Sequence, residues 1–306
     1  MRIRWRALGC LLLCGVLIWF LADAGTVRGA AKEALGLCAR SVVPAMFPFL
    51  VISSLLVKLG FGELTAPALA GLMEPLFRVG GAGSSALLLG LAGGYPIGAK
   101  TAAELFHAGS LSREEAERLL AFANNANPVF LISVLGAGVF GSVRAGVWLW
   151  LIHIAGALFT GLLLRGHGSG PQRRVVSRRL PFQAVSFSTA FVSAIRESLS
   201  GILSVCAFVT FFYVLSRPLA LPGGRAGQVL VGVTELFSLT PLLTADRFGF
   251  ILAAATAGWG GLSVLCQTAA VLEGSGLRLA PCLAGKLIHG LFSALLAALL
   301  AGYVLP

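Results

Sequence analysis

Charged side chains lie inside segments that are otherwise apolar. Lys100 and Glu104 follow a sequence rich in glycine and proline, and their spacing of four residues puts both on one face of a helix, where they can pair. Ionisable groups are costly inside a membrane and mark functional sites there. Lys100 is therefore a candidate for binding a solute. A structural ion pair, or a lysine whose ammonium reaches the membrane surface, is the alternative interpretation.

Three asparagines form a second polar group. Asn124, Asn125 and Asn127 precede Pro128 at the end of an apolar stretch. A carboxamide donates and accepts hydrogen bonds, which suits a nucleobase, an amide or a sugar. The alternative is that these side chains only cap helices around the proline.

The segments that carry these residues are interrupted by helix breakers. Glycines and a proline occupy residues 93–98, and three glycines lie within residues 258–261. Irregular backbone at membrane depth is tolerated where protein or a water-filled cavity satisfies it. A helix that begins after such a break directs its free N–H groups into the gap, where an anionic or carbonyl group of a solute can bind. The candidate substrate-binding residues are Gly94, Tyr95, Pro96, Gly98, Lys100, Glu104, Asn124, Asn125, Asn127, Gly258, Gly260, Gly261 and Gln267.

The two glycine-rich breaks also occupy corresponding places in the two halves of the chain. Residues 93–103 align with residues 260–270 at one constant offset, and Gln267 then stands where the first half has Lys100. Upstream, Glu74 and Glu235 also correspond, and we interpret them as coupling or structural acids. The pattern predicts an internal repeat.

Composition defines the class of protein around these breaks. The chain has 306 residues, of which 57% are hydrophobic and 11% are charged. A soluble domain carries roughly 25% charged residues, and the apolar runs are long enough to span a bilayer as helices. We therefore predict an all-α, polytopic membrane bundle of about nine to ten membrane segments. The half-polar stretch at residues 27–40 is interpreted as an interfacial helix, and residues 185–200 form a second amphipathic stretch.

The same features argue against several other functions. The six cysteines include no CxxC pair, His153 and His289 stand alone in apolar spans, and no catalytic motif occurs. We predict no enzyme activity, no cofactor and no metal site. The run from Ser112 to Glu115 is typical of a capping box, which starts a helix.

We attribute the net charge of +11 to the orientation of the chain in the membrane. Arginines precede the first apolar run and crowd residues 165–179, so both stretches are expected in the cytoplasm by the positive-inside rule, and no nucleic-acid partner is predicted. Residues 1–26 are then a signal-anchor helix, with a cleaved signal peptide as the alternative. Residues 27–164 form the first repeat and a connecting span, 165–182 a basic cytoplasmic linker, and 183–306 the second repeat. With the N-terminus and the linker in the cytoplasm, the predicted spans make the first repeat begin outside and the second inside. The repeats are therefore expected to be inverted, as in many transporters.

The chain resembles a known family at these same motifs. Residues 94–100 (GYPIGAK), 114–122 (EEAERLLAF) and 124–125, with 258–264 (GWGGLSV) in the second half, look like the sporulation integral membrane protein YlbJ family. The resemblance covers essentially the whole chain and implies Gate-like, nucleoside-recognition repeats in a bacterial cytoplasmic membrane protein that contributes to spore cortex formation. Gly93 stands where relatives often have serine, and Ala126 and Asn127 stand where a Ser-Gly-like pair is common.

Two functions follow as hypotheses. The first is a permease or exporter of a small solute, nucleoside-like or another metabolite, that works by alternating access at the broken helices. The second is a scaffold that recruits sporulation or envelope proteins without transport. The expected partners are the lipid bilayer, a solute and other sporulation membrane proteins.

Overall fold

The computed structural model describes residues 2–166 and 186–305, and all regular elements in these two ranges are helices. The first range contains α1 (Arg2–Ala22), α2 (Ala24–Leu37), α3 (Val43–Lys58), α4 (Phe61–Phe77), α5 (Ser84–Gly93), α6 (Ile97–His107), α7 (Arg113–Phe122) and α8 (Val143–Leu163), with a π-helix at Phe130–Val139. The second contains α9 (Phe187–Ala220), α10 (Gly224–Thr234), α11 (Leu236–Leu239), α12 (Arg247–Trp259), α13 (Gly261–Leu272) and α14 (Ala280–Val304). The predicted all-α fold class is confirmed.

The number of long spans is lower than the sequence predicts. Among the described residues, five helical stretches are long and apolar enough to cross a membrane, and a sixth is reached if α4 and the helix at Gly81–Gly93, bent by 96°, count as one. The prediction of nine to ten segments is therefore corrected. Several predicted spans are divided by breaks into shorter helices, including α6 with 11 residues and α7 with 10.

The predicted interfacial helix and the second amphipathic stretch are both continuous with their neighbouring helices. A π-turn at Cys38–Val42 joins α2 to α3, giving one helical stretch of 35 residues, Ala24–Lys58. Helix α9 likewise runs unbroken for 34 residues. The prediction of separate helices at residues 27–40 and 185–200 is wrong, because neither stretch is followed by a break of the kind that ends α5 or α12.

Helices α3 and α9 pack against each other in opposite directions. Val42 and Met46, near the start of α3, join one apolar cluster with Val205 and Val209 of α9. At the other end of α3, Leu55 packs on Ala190 and Ala194. This end of the pair lies near the beginning of α9, which follows the basic linker. The linker arginines at positions 173, 174, 178 and 179 lie outside the described residues.

Both halves of the chain contain a helix, a glycine break and a second helix. Gly94 has a φ of +87° between α5 and α6. Its counterpart in the repeat, Gly261, has a φ of +85° at the start of α13 and follows Gly260, whose φ is +84°. Because L side chains rarely adopt this conformation, glycine suits all three positions. This correspondence supports the internal repeat, while the inverted relation between the repeats stays a prediction.

Helix α7 lies between the two halves and begins with the predicted capping box. The Ser112 hydroxyl accepts from the Glu115 backbone N–H, and the Glu115 carboxylate accepts from the Ser112 N–H at 2.8 Å, which confirms that prediction. One turn further on, Glu117 is 1% exposed and pairs with Arg278, whose Nη2 lies 2.7 Å from its Oε2. This pair joins α7 to the loop before α14.

We expect the Glu117–Arg278 pair to make stability depend on pH. Burial raises the pKa of Glu117, but the hydrogen bonds and charge of Arg278 outweigh it and hold that pKa below its ordinary value. The pair therefore stabilises the fold above a pH of about 4.3, the unfolded pKa of glutamate, and this contribution is lost as the pH falls through the lowered pKa. Melting curves between neutral and acidic pH should show Glu117→Gln melting below the wild type at neutral pH.

The two melting temperatures should converge below the lowered pKa of Glu117, where its carboxyl is protonated. Glu114→Gln is the matched control, since Glu114 lies in the same first turns of α7 without an ion pair among the described contacts. A difference between wild type and Glu117→Gln that stays constant across this range would contradict the assignment.

Candidate functional site

The breaks in the two halves of the chain meet at Tyr95. Its hydroxyl donates a hydrogen bond of 2.6 Å to the carbonyl of Ala257, at the end of α12. A Cβ atom placed on Gly260 would lie 3.5 Å from the Tyr95 ring. The sequence predicts breaks at both places, and the structure brings them into contact.

A buried lysine lies at this meeting point. Lys286 of α14 is 1% exposed and donates hydrogen bonds to the Tyr95 hydroxyl, at 3.3 Å, and to the Asn124 carbonyl. Its ammonium also lies 4.4 Å from the centroid of the Tyr95 ring, a cation–π contact. Within the described part of the chain, Lys286 takes part in no ion pair with a carboxylate. A buried cation balanced only by neutral groups is the strongest electrostatic feature of the site.

The three asparagines are all buried near the first break, but their side chains make different hydrogen bonds. Asn127 caps the following helix by accepting from the Val129 N–H at 2.7 Å, and its amide also donates to the Gly93 carbonyl at 3.1 Å. Asn124 donates to the Thr268 hydroxyl of α13 at 2.9 Å. Capping thus accounts for the side-chain oxygen of Asn127, whereas the Asn124 side chain connects the two halves of the molecule.

Two acceptors in this group are not used by the protein. Among the described residues, the side-chain oxygens of Asn124 and Asn125 have no hydrogen-bond partner, although both residues are fully buried. Buried polar atoms are nearly always paired. The buried polar group where the breaks meet therefore contains one ammonium donor, on Lys286, and two acceptors that the protein does not use.

Two histidines that stand alone in the sequence support this site together. The ring of His153 lies 4.4 Å from the ring of His289, and His289 Nε2 lies 2.9 Å from the His153 carbonyl oxygen. His153 Nε2 accepts a hydrogen bond of 2.9 Å from the Ala126 N–H. His289 therefore bonds a backbone carbonyl and His153 a backbone N–H, and the two histidines, although isolated in the sequence, lie together in the fold.

The second-half candidates lie on the opposite side of the same breaks. Gly258 packs on α14, where an added Cβ would lie 2.8 Å from the Gly290 nitrogen, and Gly261 packs on the Thr234 carbonyl. Gln267 is buried and donates to the Ser263 hydroxyl at 3.3 Å.

The two acids that correspond in the sequence have different surroundings. Glu235 is buried, caps α11 and accepts from the Ser238 hydroxyl at 2.8 Å, next to Gly261. Glu74 is exposed on α4. The structure therefore brings Glu235, and not Glu74, to the breaks.

Lys100 and Glu104 line a cavity of about 300 Å³ that lies beside the breaks, between α3, α6 and α9. Their predicted contact is present, with 3.7 Å between Lys100 Nζ and Glu104 Oε1. A shorter ion pair of 3.0 Å joins Lys100 to Glu197 of α9. Pro96 reaches the same cavity, so the cavity and the buried polar group share the first break.

Sequence reasoning counts Lys286 among the ionisable residues of apolar spans without placing it at the site, and it does not include Glu197 or the histidine pair. Lys286 can be recognised as a lysine inside an apolar span. No local pattern links it to Tyr95, which lies 191 positions earlier in the chain. Glu197 lies in an amphipathic stretch where a charge is ordinary. The pairing of His153 with His289 also depends on the packing of α8 against α14.

The comparisons with known proteins agree with this architecture. Residues 39–145 match the family model Gate, described as nucleoside recognition. The chain is 28% identical over 312 residues to the sporulation integral membrane protein YlbJ of Bacillus subtilis (strain 168), and the alignment covers 89% of this chain and 76% of that protein. No solved structure matches. The resemblance predicted from the motifs is confirmed, and the chain is a multi-pass integral membrane protein similar to YlbJ.

Proposed function

We propose that this YlbJ-like membrane protein is a permease or exporter that moves a small polar solute, nucleoside-like or another metabolite, across the membrane of a sporulating bacterium. The observation that carries the proposal is the meeting of broken helices around Lys286 and two unpartnered asparagine oxygens. Transporters bind their substrates at broken helices of this kind, near the middle of the bilayer. The names of the related family and protein support the nucleoside class and a role in sporulation. A contribution to spore cortex formation is part of the same proposal.

The proposed mechanism is alternating access. The two halves of the molecule contact each other at Tyr95 and Ala257 and at Asn124 and Thr268. Relative motion of the halves breaks these two hydrogen bonds and exposes Lys286 to the cavity beside α6. We further propose that the repeats are inverted and that the N-terminus and the basic linker face the cytoplasm.

A panel of solutes tests the proposal on purified protein in detergent. Thermal unfolding is followed with nucleosides, nucleotides, dipicolinate, amino acids and divalent metal ions. A ligand at about 100 times its Kd stabilises a protein by roughly 2.7 kcal/mol, which a melting curve detects. A shift with one class supports a solute site, whereas no shift with any class favours the scaffold.

Lys100→Ala is expected to weaken binding of a solute that raises the melting temperature, with insertion and folding retained. Lys100 is partly exposed in the cavity and forms no part of the apolar core, so its loss removes a charge and little packing. One hydrogen bond to a charged group is worth about 1.5 kcal/mol or more, so the Kd should rise roughly tenfold. Titrations of wild type and variant measure this change. Wild-type affinity in Lys100→Ala would remove Lys100 from the site.

A further inference from the structure

The cavity between α3, α6 and α9 contains a network of charges centred on Glu197. Lys58 Nζ lies 2.7 Å from Glu197 Oε1, and Lys100 Nζ lies 3.0 Å from Oε2. The hydroxyls of Ser193 and Ser54 donate to the same carboxylate at 3.0 and 3.3 Å. One carboxylate of α9 therefore holds a residue from α6 and two from α3.

The packing around this network is thin. Where α3 ends, the buried apolar contact with α9 consists of Leu55 against Ala190 and Ala194, two residues with the smallest apolar side chain. At the other end, a larger apolar cluster that includes Val42, Met46 and Val209 joins the same two helices. Separating α3 from α9 therefore exposes less apolar surface at the Glu197 end than at the Val42 end. The ion pairs contribute a larger share of the attraction between the two helices there.

The cavity behind the network has an unused polar group. Ser198, the next residue of α9, lines the cavity and is 3% exposed, and its hydroxyl has no hydrogen-bond partner among the described residues. The four charged side chains of the network (Lys58, Lys100, Glu104 and Glu197) are 26–40% exposed, so solvent reaches them. The charged network thus lies between solvent and the buried hydroxyl of Ser198.

We propose that Glu197 is a latch that closes this cavity by holding Lys58 and Lys100 against α9, and that it releases them when the cavity opens to the linker side. This inference rests on the proposed transport function, for which it names the residue that controls access. Glu197 acts by positioning the two lysines, and contact with solute is not part of its role.

The test measures access to the cavity at a single cysteine. Ser198→Cys is introduced into a protein whose six native cysteines are replaced by alanine, and the rate of alkylation by a charged maleimide is followed in membrane vesicles by mass. Adding Glu197→Gln keeps the side-chain shape but removes the charge. Removing about 1 kcal/mol of ion-pair stabilisation is expected to make the alkylation of Ser198→Cys roughly fivefold faster. Glu63→Gln, at an exposed position of α4, is the matched control.

Salt gives a second measurement, made first on the protein that keeps Glu197. Raising the ionic strength from about 0.05 M to about 0.5 M screens partly exposed ion pairs. Alkylation of Ser198→Cys should then accelerate in the protein that keeps Glu197, and the acceleration should be absent when Glu197→Gln is present. An alkylation rate that neither Glu197→Gln nor salt changes would overturn the latch.

The latch and the transport function fail in different ways. Alkylation reports access whether or not a solute crosses the membrane. Faster alkylation without solute flux would support the latch and contradict transport, whereas solute flux with an unchanged alkylation rate would support transport and overturn the latch.

Discussion

A Lys286→Met protein is expected to fold and insert but to bind the solute much more weakly. The methionine side chain has a length close to that of lysine, and it removes a buried ammonium that no described carboxylate balances. Burying an ammonium without a carboxylate partner is costly, and its removal offsets the hydrogen bond that the Asn124 carbonyl loses. The melting temperature should therefore stay the same or rise.

The loss of binding follows from the same buried position. Lys286 is the one charged side chain that contacts both the Tyr95 hydroxyl and the Asn124 carbonyl in the described structure. A hydrogen bond to a charged group is worth about 1.5–3 kcal/mol, so the Kd should rise roughly 10- to 150-fold. Isothermal titration with a solute identified by the melting panel measures this change.

Lys32→Met is the control for charge removal, since Lys32 is exposed on α2. A lower melting temperature for Lys286→Met with unchanged solute affinity would contradict a binding role and make Lys286 a structural residue.

Gly98→Ala is expected to disrupt the meeting of the breaks. A Cβ atom on Gly98 would lie 1.9 Å from the Ala123 carbonyl oxygen, and one on Gly90 would lie 1.8 Å from the same oxygen. The obstacle is backbone, so a change of rotamer cannot relieve it. Overpacking costs about 1–3 kcal/mol, and at roughly 2–4 °C per kcal/mol the upper value lowers the melting temperature by about 6–12 °C.

Gly71→Ala provides the matched control for this prediction. Gly71 lies in the middle of α4, where an added Cβ would meet nothing within 4 Å. Alanine favours helices over glycine by up to about 1 kcal/mol, so Gly71→Ala should leave the melting temperature unchanged or raise it. Equal melting temperatures for the two variants would contradict the close approach of α6 and residue 123.

Local sequence patterns predicted the parts of the site that depend on backbone chemistry. Gly94 and Gly260 mark the two breaks because their positive φ angles favour glycine. Ser112 and Glu115 form the expected capping box because both hydrogen bonds lie within one turn. The pairing of Lys100 with Glu104 is likewise fixed by helical spacing.

The rest depends on contacts between distant parts of the chain. The position of Lys286 against Tyr95 is set by the packing of α14 on α7, where Gly285 fits directly over Ala121. The choice of Glu197 as the closer partner of Lys100 is set by the position of α9 beside α6 around the cavity. Helix continuity at α2–α3 and through α9 was also missed, because a polar face inside a long helix has the same pattern as an interfacial helix.

Solute flux through the purified protein is the measurement that tests transport most directly. Proteoliposomes containing the wild type, and a paired set containing Lys286→Met, are loaded with a radiolabelled solute that raises the melting temperature in the panel. We expect the wild type to release the solute faster than protein-free liposomes and Lys286→Met to match the protein-free rate. A solute that binds the wild type but never crosses the bilayer faster than in protein-free liposomes would contradict transport and favour a scaffold.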